Sequence, residues 1–298
     1  MKLRIGTRRS RLAMAQAEEV AYHLALLSVE AELVPMVTSG DRGGPAGTTG
    51  GVKASFVAEI VQALREGRVD LAVHSAKDLP AHDLNDVTVA AVPERSDPFD
   101  VLVTREANLG PGAVVGTSSL RRQAQLLRSR PHLEVRPLRG NVDTRLSKLE
   151  SGVVDGLVLA AAGLARLGIS PRHAVPLPLD EMVPAPGQGA LAVQARTGDD
   201  GTLEAAARLN HPRSRVAFEA ERGLVRLLGG DCSLPLGAYA EQRESAVRLM
   251  AVVIRPDGAD LAWAQVEAAS PEQAAQEAAQ TLLAGGAGAI LAEAANRS

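Results

Sequence analysis

Several short stretches of the chain combine residue types that could do chemistry. Thr7, Arg8 and Ser10 lie between a strand-like segment and a helix-like one, and Thr117, Ser118, Ser119, Arg121 and Arg122 repeat that arrangement further along. A helix N-terminus carries unpaired N–H groups and the positive end of the helix dipole, so loops of this kind favour an anion. Arg139-Gly140-Asn141 and Arg145 add positive charge: from Arg121 to Lys148 there are seven arginines and one lysine against only Glu134 and Asp143. The alternatives are a solvated helix face with Arg–Glu pairs and an anion site; the imbalance favours the anion site, and because the guanidinium fork holds carboxylates bidentately the cluster suits a ligand with several carboxylates. His74-Ser75-Ala76-Lys77-Asp78-Leu79-Pro80 sets a carboxylate beside an ammonium just past an apolar strand pattern, where α/β sheets form ligand crevices. Asp78 there either acts as a general acid/base, stabilises a cation, or simply shapes the turn before Pro80. Cys232 follows Gly229-Gly230-Asp231. The adjacent carboxylate opposes a thiolate and disfavours a Cys–His hydrolase, leaving a small buried hydrophobe or a covalent tether.

Composition narrows the classes. The 298 residues are 46% hydrophobic and 22% charged, with a net charge of −3, which excludes a disordered chain. The length is enough for two or three domains of roughly 100 to 200 residues. No apolar run reaches the roughly 18 residues of a membrane span, and no signal-peptide pattern opens the chain, so a cytoplasmic protein is expected. One cysteine forms no internal disulfide, and no Cys/His cluster has zinc spacing, so no metal is expected. Only three Phe, two Tyr and one Trp are present, too few for the stacking platforms of a single-strand binder, and the negative charge argues against nucleic acid generally. Lysine is scarce: Lys2, Lys53, Lys77 and Lys148 stand against 28 arginines.

The elements that position these residues follow from periodicity. Residues 2–6 predict a strand, and Ser10 caps a helix through Leu12, Val20, Leu24 and Leu27. A strand at 32–37 leads into a Gly-rich flexible loop at 39–51, then a helix from about Lys53 and a buried strand at 69–73. Val114–Gly116, a hydroxyl loop and a helix from Leu120 repeat the order of Ile5-Gly6-Thr7 and its helix, which predicts two α/β lobes of similar plan. The tail differs: a helix from about Arg213, alternating segments at 246–254 and 260–266 around the hairpin signal Pro256-Asp257-Gly258, and a final Ala-rich helix predict a small α+β domain.

Arg4-Ile5-Gly6-Thr7-Arg8, Val73-His74-Ser75-Ala76-Lys77-Asp78-Leu79-Pro80, Val115-Gly116-Thr117-Ser118-Ser119-Leu120-Arg121-Arg122, Leu138-Arg139-Gly140-Asn141-Val142-Asp143-Thr144-Arg145-Leu146 and Gly187-Gln188-Gly189-Ala190 together resemble the porphobilinogen deaminase (hydroxymethylbilane synthase) family. The resemblance runs from residue 2 to about 295. It implies an α/β fold of two lobes like those of type II periplasmic binding proteins plus a small α+β C-terminal domain: residues 1–95 with 189–208, residues 96–188, and residues 209–298. Crossings between the lobes are then expected near 94–98 and 184–188. It implies a transferase of tetrapyrrole biosynthesis that joins four porphobilinogen units head to tail, releases ammonia and yields hydroxymethylbilane. The implied cofactor is a dipyrromethane joined by a thioether to Cys232. Asp78 matches the catalytic carboxylate, assisting loss of the amino group and stabilising the azafulvene cation. Cofactor contacts fall on Ser10, Lys77, Asp78, Thr117, Ser119, Arg121, Arg122 and Arg139, and substrate contacts on Arg8, Ser10, Lys53, Ser75, Arg139, Arg145, Arg166 and Gln188. A monomer is implied, with porphobilinogen as its small-molecule partner. The alternative is a two-lobed binding protein for a carboxylated ligand. The chain departs from the family pattern at Val52 and Ala54 beside Lys53, at Asp231 before the cysteine, and at Arg11, where proline is usual.

Overall fold

The computed structural model of the chain describes residues 1–37, 51–82, 84–229 and 234–295, the side chains of 51–56 excepted. The Gly-rich loop expected before Gly51 and the cysteine-bearing residues 230–233 lie outside them.

Two five-stranded sheets are built on one plan. In the first, β1 (Lys2–Arg8) pairs in parallel with β2 (Glu30–Met36) and β3 (Leu71–Ser75). The order is β2-β1-β3-β10-β4, where β4 spans Val87–Ala91 and β10 (Leu191–Arg196) runs antiparallel to both its neighbours. In the second, β6 (Val114–Gly116) pairs in parallel with β7 (Glu134–Arg136) and β8 (Gly156–Ala160). Its order is β7-β6-β8-β5-β9, and β5 (Asp100–Thr104) runs antiparallel to β8 and to β9 (His173–Pro176). The chain leaves the first sheet after β4 and enters the second through β5, then leaves after β9 and returns through β10. Each sheet therefore receives its antiparallel strand from a chain arriving from the other lobe, the plan of the type II periplasmic binding proteins.

This arrangement positions the site. The parallel strands β1, β3, β6 and β8 bring their carboxyl ends to the edge facing the other lobe. The antiparallel β5 and β10 bring their amino ends to the same edge, so Asp100 pairs with Ala160 and Leu191 with Ser75. The glycines at the matching positions of β1 and β6 are required by packing: a Cβ on Gly6 would stand 2.8 Å from the Met36 side chain, and one on Gly116 would stand 2.8 Å from Leu138.

Helices cover both faces of the sheets. In the first lobe α1 (Arg11–Leu26) buries Ala17, Val20 and Leu24 against Leu3, Leu71 and Leu191. On the opposite face α2 (Gly51–Arg65) buries Ile60, Val61 and Leu64. It begins two residues before the Lys53 start read from periodicity. In the second lobe α3 (Leu120–Ser129), α4 (Val142–Glu150) and α5 (Ala161–Arg166) do the same work, while α6 (Asp200–Ala207) follows β10. Each fully buried Leu or Val contributes about 1.5 to 3 kcal/mol.

The remaining chain forms an antiparallel sheet of β11 (Leu236–Arg243), β12 (Ala246–Ile254) and β13 (Leu261–Ala268), packed against α7 (Pro212–Leu227), α8 (Pro271–Ala284) and α9 (Ala287–Ala295). The hairpin signal sits between β12 and β13, with Gly258 at φ 78°. The Ala-rich ending is two helices rather than one, because Gly285 caps α8 and Gly286 adopts φ 91°.

One buried carboxylate fastens this third unit to both crossings. Glu221 of α7 is fully buried; its Oε1 accepts from the Ala240 N–H at 2.7 Å and its Oε2 from the Gly187 N–H at 2.6 Å. Arg95, on the outward crossing, donates to both oxygens at 2.7 and 3.1 Å, and its Nε donates to the Gln188 carbonyl at 2.8 Å. Removing one partner of a buried pair leaves an uncompensated charge. Glu221→Gln is therefore expected to lower stability by about 3 kcal/mol, on the order of 8 °C in Tm, read by thermal unfolding; a Tm within a degree of the parent would contradict the assignment.

Candidate functional site

Asp100 is the centre of the polar edge between the lobes. It is fully buried at the start of β5, and Arg121 and Arg122 of α3 converge on it. Arg121 Nη1 lies 2.8 Å from Oδ2; Arg122 donates from Nε at 3.0 Å and from Nη2 at 2.6 Å to Oδ1. Backbone carbonyls complete the shell, with Arg121 donating to Val183 at 2.6 Å and Arg122 to Val158 at 2.9 Å. Gln188, also fully buried, donates to Asp100 Oδ1 at 3.0 Å and to the Pro98 carbonyl at 2.7 Å, while its Oε1 accepts from Lys77 Nζ at 3.2 Å. A continuous polar chain thus runs from Lys77 in one lobe through the return crossing to the arginines of the other.

Burial alone would push the Asp100 carboxyl up, but Arg121 and Arg122, with help from Lys77, outweigh it and hold the group well below the usual carboxylate range. Burial acts oppositely on Arg121, lowering its pKa against the pull of Asp100. The guanidinium remains charged, because arginine starts from above about 12.

The hydroxyls of the two loops cap helices. Ser10 Oγ accepts from the Ala13 N–H at 3.3 Å to start α1, and Ser119 Oγ accepts from the Arg122 N–H at 3.4 Å to start α3. Thr117 is buried, and its Oγ1 accepts from the Ser119 N–H at 3.2 Å. Asn141 caps α4 through the Thr144 N–H at 2.8 Å. Arg8 ends β1, Ser75 ends β3, and Lys77 and Asp78 occupy a 3₁₀ turn over Ala76–Asp78 immediately beyond. His74 lies beneath them, buried; that burial, helped by Arg8 and opposed by Asp78, lowers its pKa to about 4.

The arginine cluster divides by partner. Arg130 is taken by Glu181 and Arg136 by Glu134, while Arg128 donates to the Gly258 and Ala259 carbonyls of the third unit. Arg121 and Arg122 remain at the site, and Arg145 is close enough to Arg122 to feel its charge. Arg139 is exposed, whereas Arg145 is half-buried with its pKa lowered, first by burial and then by Arg122. Arg166 is held by Glu19 of α1, at 2.7 and 3.3 Å. The Lys53 side chain and Cys232 lie outside the described residues.

A pocket partly open to solvent adjoins this network. Lys77, Ser119 and Arg121 form its polar wall and Leu79, Phe218 and Leu236 its apolar one; Leu234, two residues beyond Cys232 in sequence, also reaches it. No carboxylate is among its described walls. Buried Nε groups of Arg121 and Arg145 have no hydrogen-bond partner among the described residues. A flat ring with carboxylate arms suits this mixture of an apolar wall and cationic side chains.

Two residues at the centre of this geometry escape sequence reasoning. Asp100 stands directly before the apolar run Val101-Leu102-Val103, a charge at the mouth of a buried strand. Glu221 falls on the same helix face as Ala217, Phe218 and Leu224, and that spacing marks it as buried.

Fold and site together define a two-lobed α/β protein with buried arginines at the junction of the lobes and a third α+β unit docked on both crossings. The family profile described as porphobilinogen deaminase, dipyromethane cofactor binding domain, matches residues 3–204, and the profile for the porphobilinogen deaminase C-terminal domain matches residues 216–284. The chain is 47% identical over 300 residues to a porphobilinogen deaminase of Syntrophotalea carbinolica, covering 97% of this chain and 95% of that one. It is 44% identical over 298 residues to one of Thermus thermophilus, covering 97% and 98%. Among solved structures, the lipoprotein Tp32 of Treponema pallidum overlaps with a TM-score of 0.44 at 13% identity, covering 70% of this chain and 90% of that one. A periplasmic substrate-binding protein of Coxiella burnetii overlaps with a TM-score of 0.42 at 16% identity, covering 70% and 91%. The chain belongs to the porphobilinogen deaminase family.

Two pH-dependent outcomes follow from the site. Asp100 has a depressed folded pKa, so its stabilisation is complete above the unfolded value near 4 and is lost as pH falls toward the folded value. Asp100→Asn strands two buried guanidinium groups and is expected to cost about 3 to 5 kcal/mol at pH 7 in urea unfolding while flattening the stability loss below pH 4; an unchanged acid limb would contradict this. His74 also has a depressed folded pKa, so between pH 6.5 and about 4 the unfolded chain takes up a proton that the folded one refuses. Stability falls over that window by up to about 3 kcal/mol, and His74→Phe should remove that part of the slope; an unaltered slope would refute it.

Proposed function

We infer that the cleft is where the chain acts as a hydroxymethylbilane synthase, joining four porphobilinogen units head to tail with release of ammonia. The observation that carries the reading is the Asp100–Arg121–Arg122–Gln188–Lys77 network: it holds cations on the wall of a pocket whose other side is apolar. Pyrrole rings bearing acetate and propionate arms have that same division of polarity.

The family's dipyrromethane cofactor supplies, when bound, a primer whose free pyrrole α-carbon receives the first substrate. Cys232 is its proposed anchor; Ser10, Lys77, Asp78, Thr117, Ser119, Arg121, Arg122 and Arg139 are the proposed residues around it. Arg8, Ser10, Lys53, Ser75, Arg139, Arg145, Arg166 and Gln188 are assigned to the substrate. The division of labour follows from burial. Arg121 and Arg122 share Asp100, which compensates one of their two charges and fixes both, so they offer preorganised N–H donors with one net positive charge left for a carboxylate. Arg139 is exposed, and meets carboxylates arriving from solvent.

Asp78 sits on a short turn at the end of β3, beside Lys77 and above a neutral His74. Its neighbours Ala76, Lys77 and Leu79 line the pocket, and we assign its carboxylate to the charge that develops on the substrate as the aminomethyl group loses ammonia and to the pyrrole N–H while the new carbon–carbon bond forms. A carboxylate placed where positive charge grows lowers the barrier without itself changing position. The Arg11 departure from the family pattern has a structural counterpart, since Arg11 pairs with Asp143 across the lobes at 2.5 Å.

The partner inferred for this cleft is porphobilinogen alone, without nucleic acid, and the protein is inferred to act as a cytoplasmic monomer. No helix among the described residues is long and apolar enough to cross a membrane.

Intact mass separates the assignments. Wild-type holoenzyme is expected to carry a dipyrromethane-sized adduct that Cys232→Ser lacks, and an adduct persisting on that variant would move the anchor elsewhere. Asp78→Ala is expected to keep the adduct and lose about 10² to 10⁴ in turnover of porphobilinogen; near-normal turnover would remove Asp78 from the chemistry.

A further inference from the structure

Helix α1 belongs to the first lobe yet is tied to the second at three points along its length. Arg11 Nη1 meets Asp143 Oδ1 of α4 at 2.5 Å, near the cleft loops that begin with Ser10 and Asn141. Leu12 packs beside Gly163 of α5, where a Cβ on the glycine would stand 3.8 Å from Leu12 Cδ2. Two turns further on, Glu19 grips Arg166 with both oxygens.

The third tie differs from the first. Arg11 and Asp143 are exposed, whereas the Arg166 side chain is only 7% exposed and the Glu19 side chain 28%. Arg166 Nη2 also donates to the Gly189 carbonyl at 3.2 Å, which sets the guanidinium against the return crossing, one residue from Gln188 and its contacts to Lys77 and Arg122. A guanidinium at this place, bidentately filled by a carboxylate of the chain itself, is in the state that a carboxylate ligand would produce.

We propose that Glu19 is a positioning residue that occupies Arg166 in the resting enzyme and is displaced by a carboxylate arm of the substrate, so that filling the site unfastens α1 from the second lobe. The proposal rests on the assignment of Arg166 to substrate. Glu19 and an acetate or propionate arm offer the same acceptor geometry, so one exchanges for the other with little net cost at the guanidinium. The exchange has a second effect, because Glu19 joins the lobes and the ligand need not. An arriving carboxylate thereby loosens the edge along which the growing chain requires room. The occupied fraction of Arg166 also weakens the apparent affinity for substrate, as any unfavourable pre-equilibrium does.

The test uses holoenzyme and three variants. Glu19→Gln is expected to lower KM for porphobilinogen about threefold to fivefold, with a smaller change in kcat, and to speed amide exchange in residues 161–167. Arg166→Leu is expected to raise KM, and Glu19→Gln added to it is expected to change KM no further, since Glu19 acts through Arg166. A KM unmoved by Glu19→Gln, or lowered equally in the Arg166→Leu background, would overturn the exchange. A wild-type KM for Arg166→Leu would instead overturn the assignment of Arg166 to substrate.

Discussion

The structure depends on a carboxylate that no solvent reaches. Asp100 gathers Arg121, Arg122 and Gln188 at the junction of the lobes, and through Gln188 it is connected to Lys77. Without it, two guanidinium groups would be buried side by side, each lowering the other's tendency to stay charged. With it, they become fixed donors at the edge of an apolar pocket. The desolvation of three ions is a large cost that several well-aligned charge-assisted hydrogen bonds offset. That expense is intelligible at a binding site and hard to explain as a contribution to stability, since a hydrophobic cluster of equal volume would stabilise the fold as well or better.

Asp100 can occupy this place because of topology. In a purely parallel sheet the amino end of its strand would lie on the side away from the cleft. The crossing that delivers β5 antiparallel to β8 reverses that end, and the matching crossing that delivers β10 places Gln188 opposite. The third unit then closes the arrangement from outside, with Glu221 holding Arg95 on one crossing and Gly187 on the other. The same two stretches of chain are therefore strand feeders, site walls and docking surface at once.

Much of this plan is legible in the residues. The repeated strand–loop–helix order around Ile5-Gly6-Thr7 and Val115-Gly116-Thr117 marks two lobes, and the structure gives the reason for both glycines in the side chains of Met36 and Leu138. Periodicity finds α1, α3, α7 and the hairpin, because each is a local pattern. It misses β5 and β10, whose partners lie far away in sequence and whose apolar runs look like any buried strand. Ser10, Ser119 and Asn141 are readable as caps. The partners of the arginines are not: sequence spacing does not distinguish Arg122, held by a buried Asp100, from Arg136, held by its neighbour Glu134, and it leaves Glu19 looking like ordinary charge on a helix surface. The roles of Asp78, Arg139 and Cys232 came from resemblance and not from spacing. The single cysteine, whose Asp231 neighbour in sequence opposes a thiolate, fits a tether better than a nucleophile.

The central claim is that this cleft extends a covalently held primer one porphobilinogen at a time. Intact mass of the holoenzyme, taken after successive limiting additions of porphobilinogen, tests it most directly. The account predicts a ladder of species separated by one deaminated pyrrole unit, all carried at one residue and all absent from Cys232→Ser. Release of product with no change in the mass of the protein, or increments distributed over more than one residue, would contradict it.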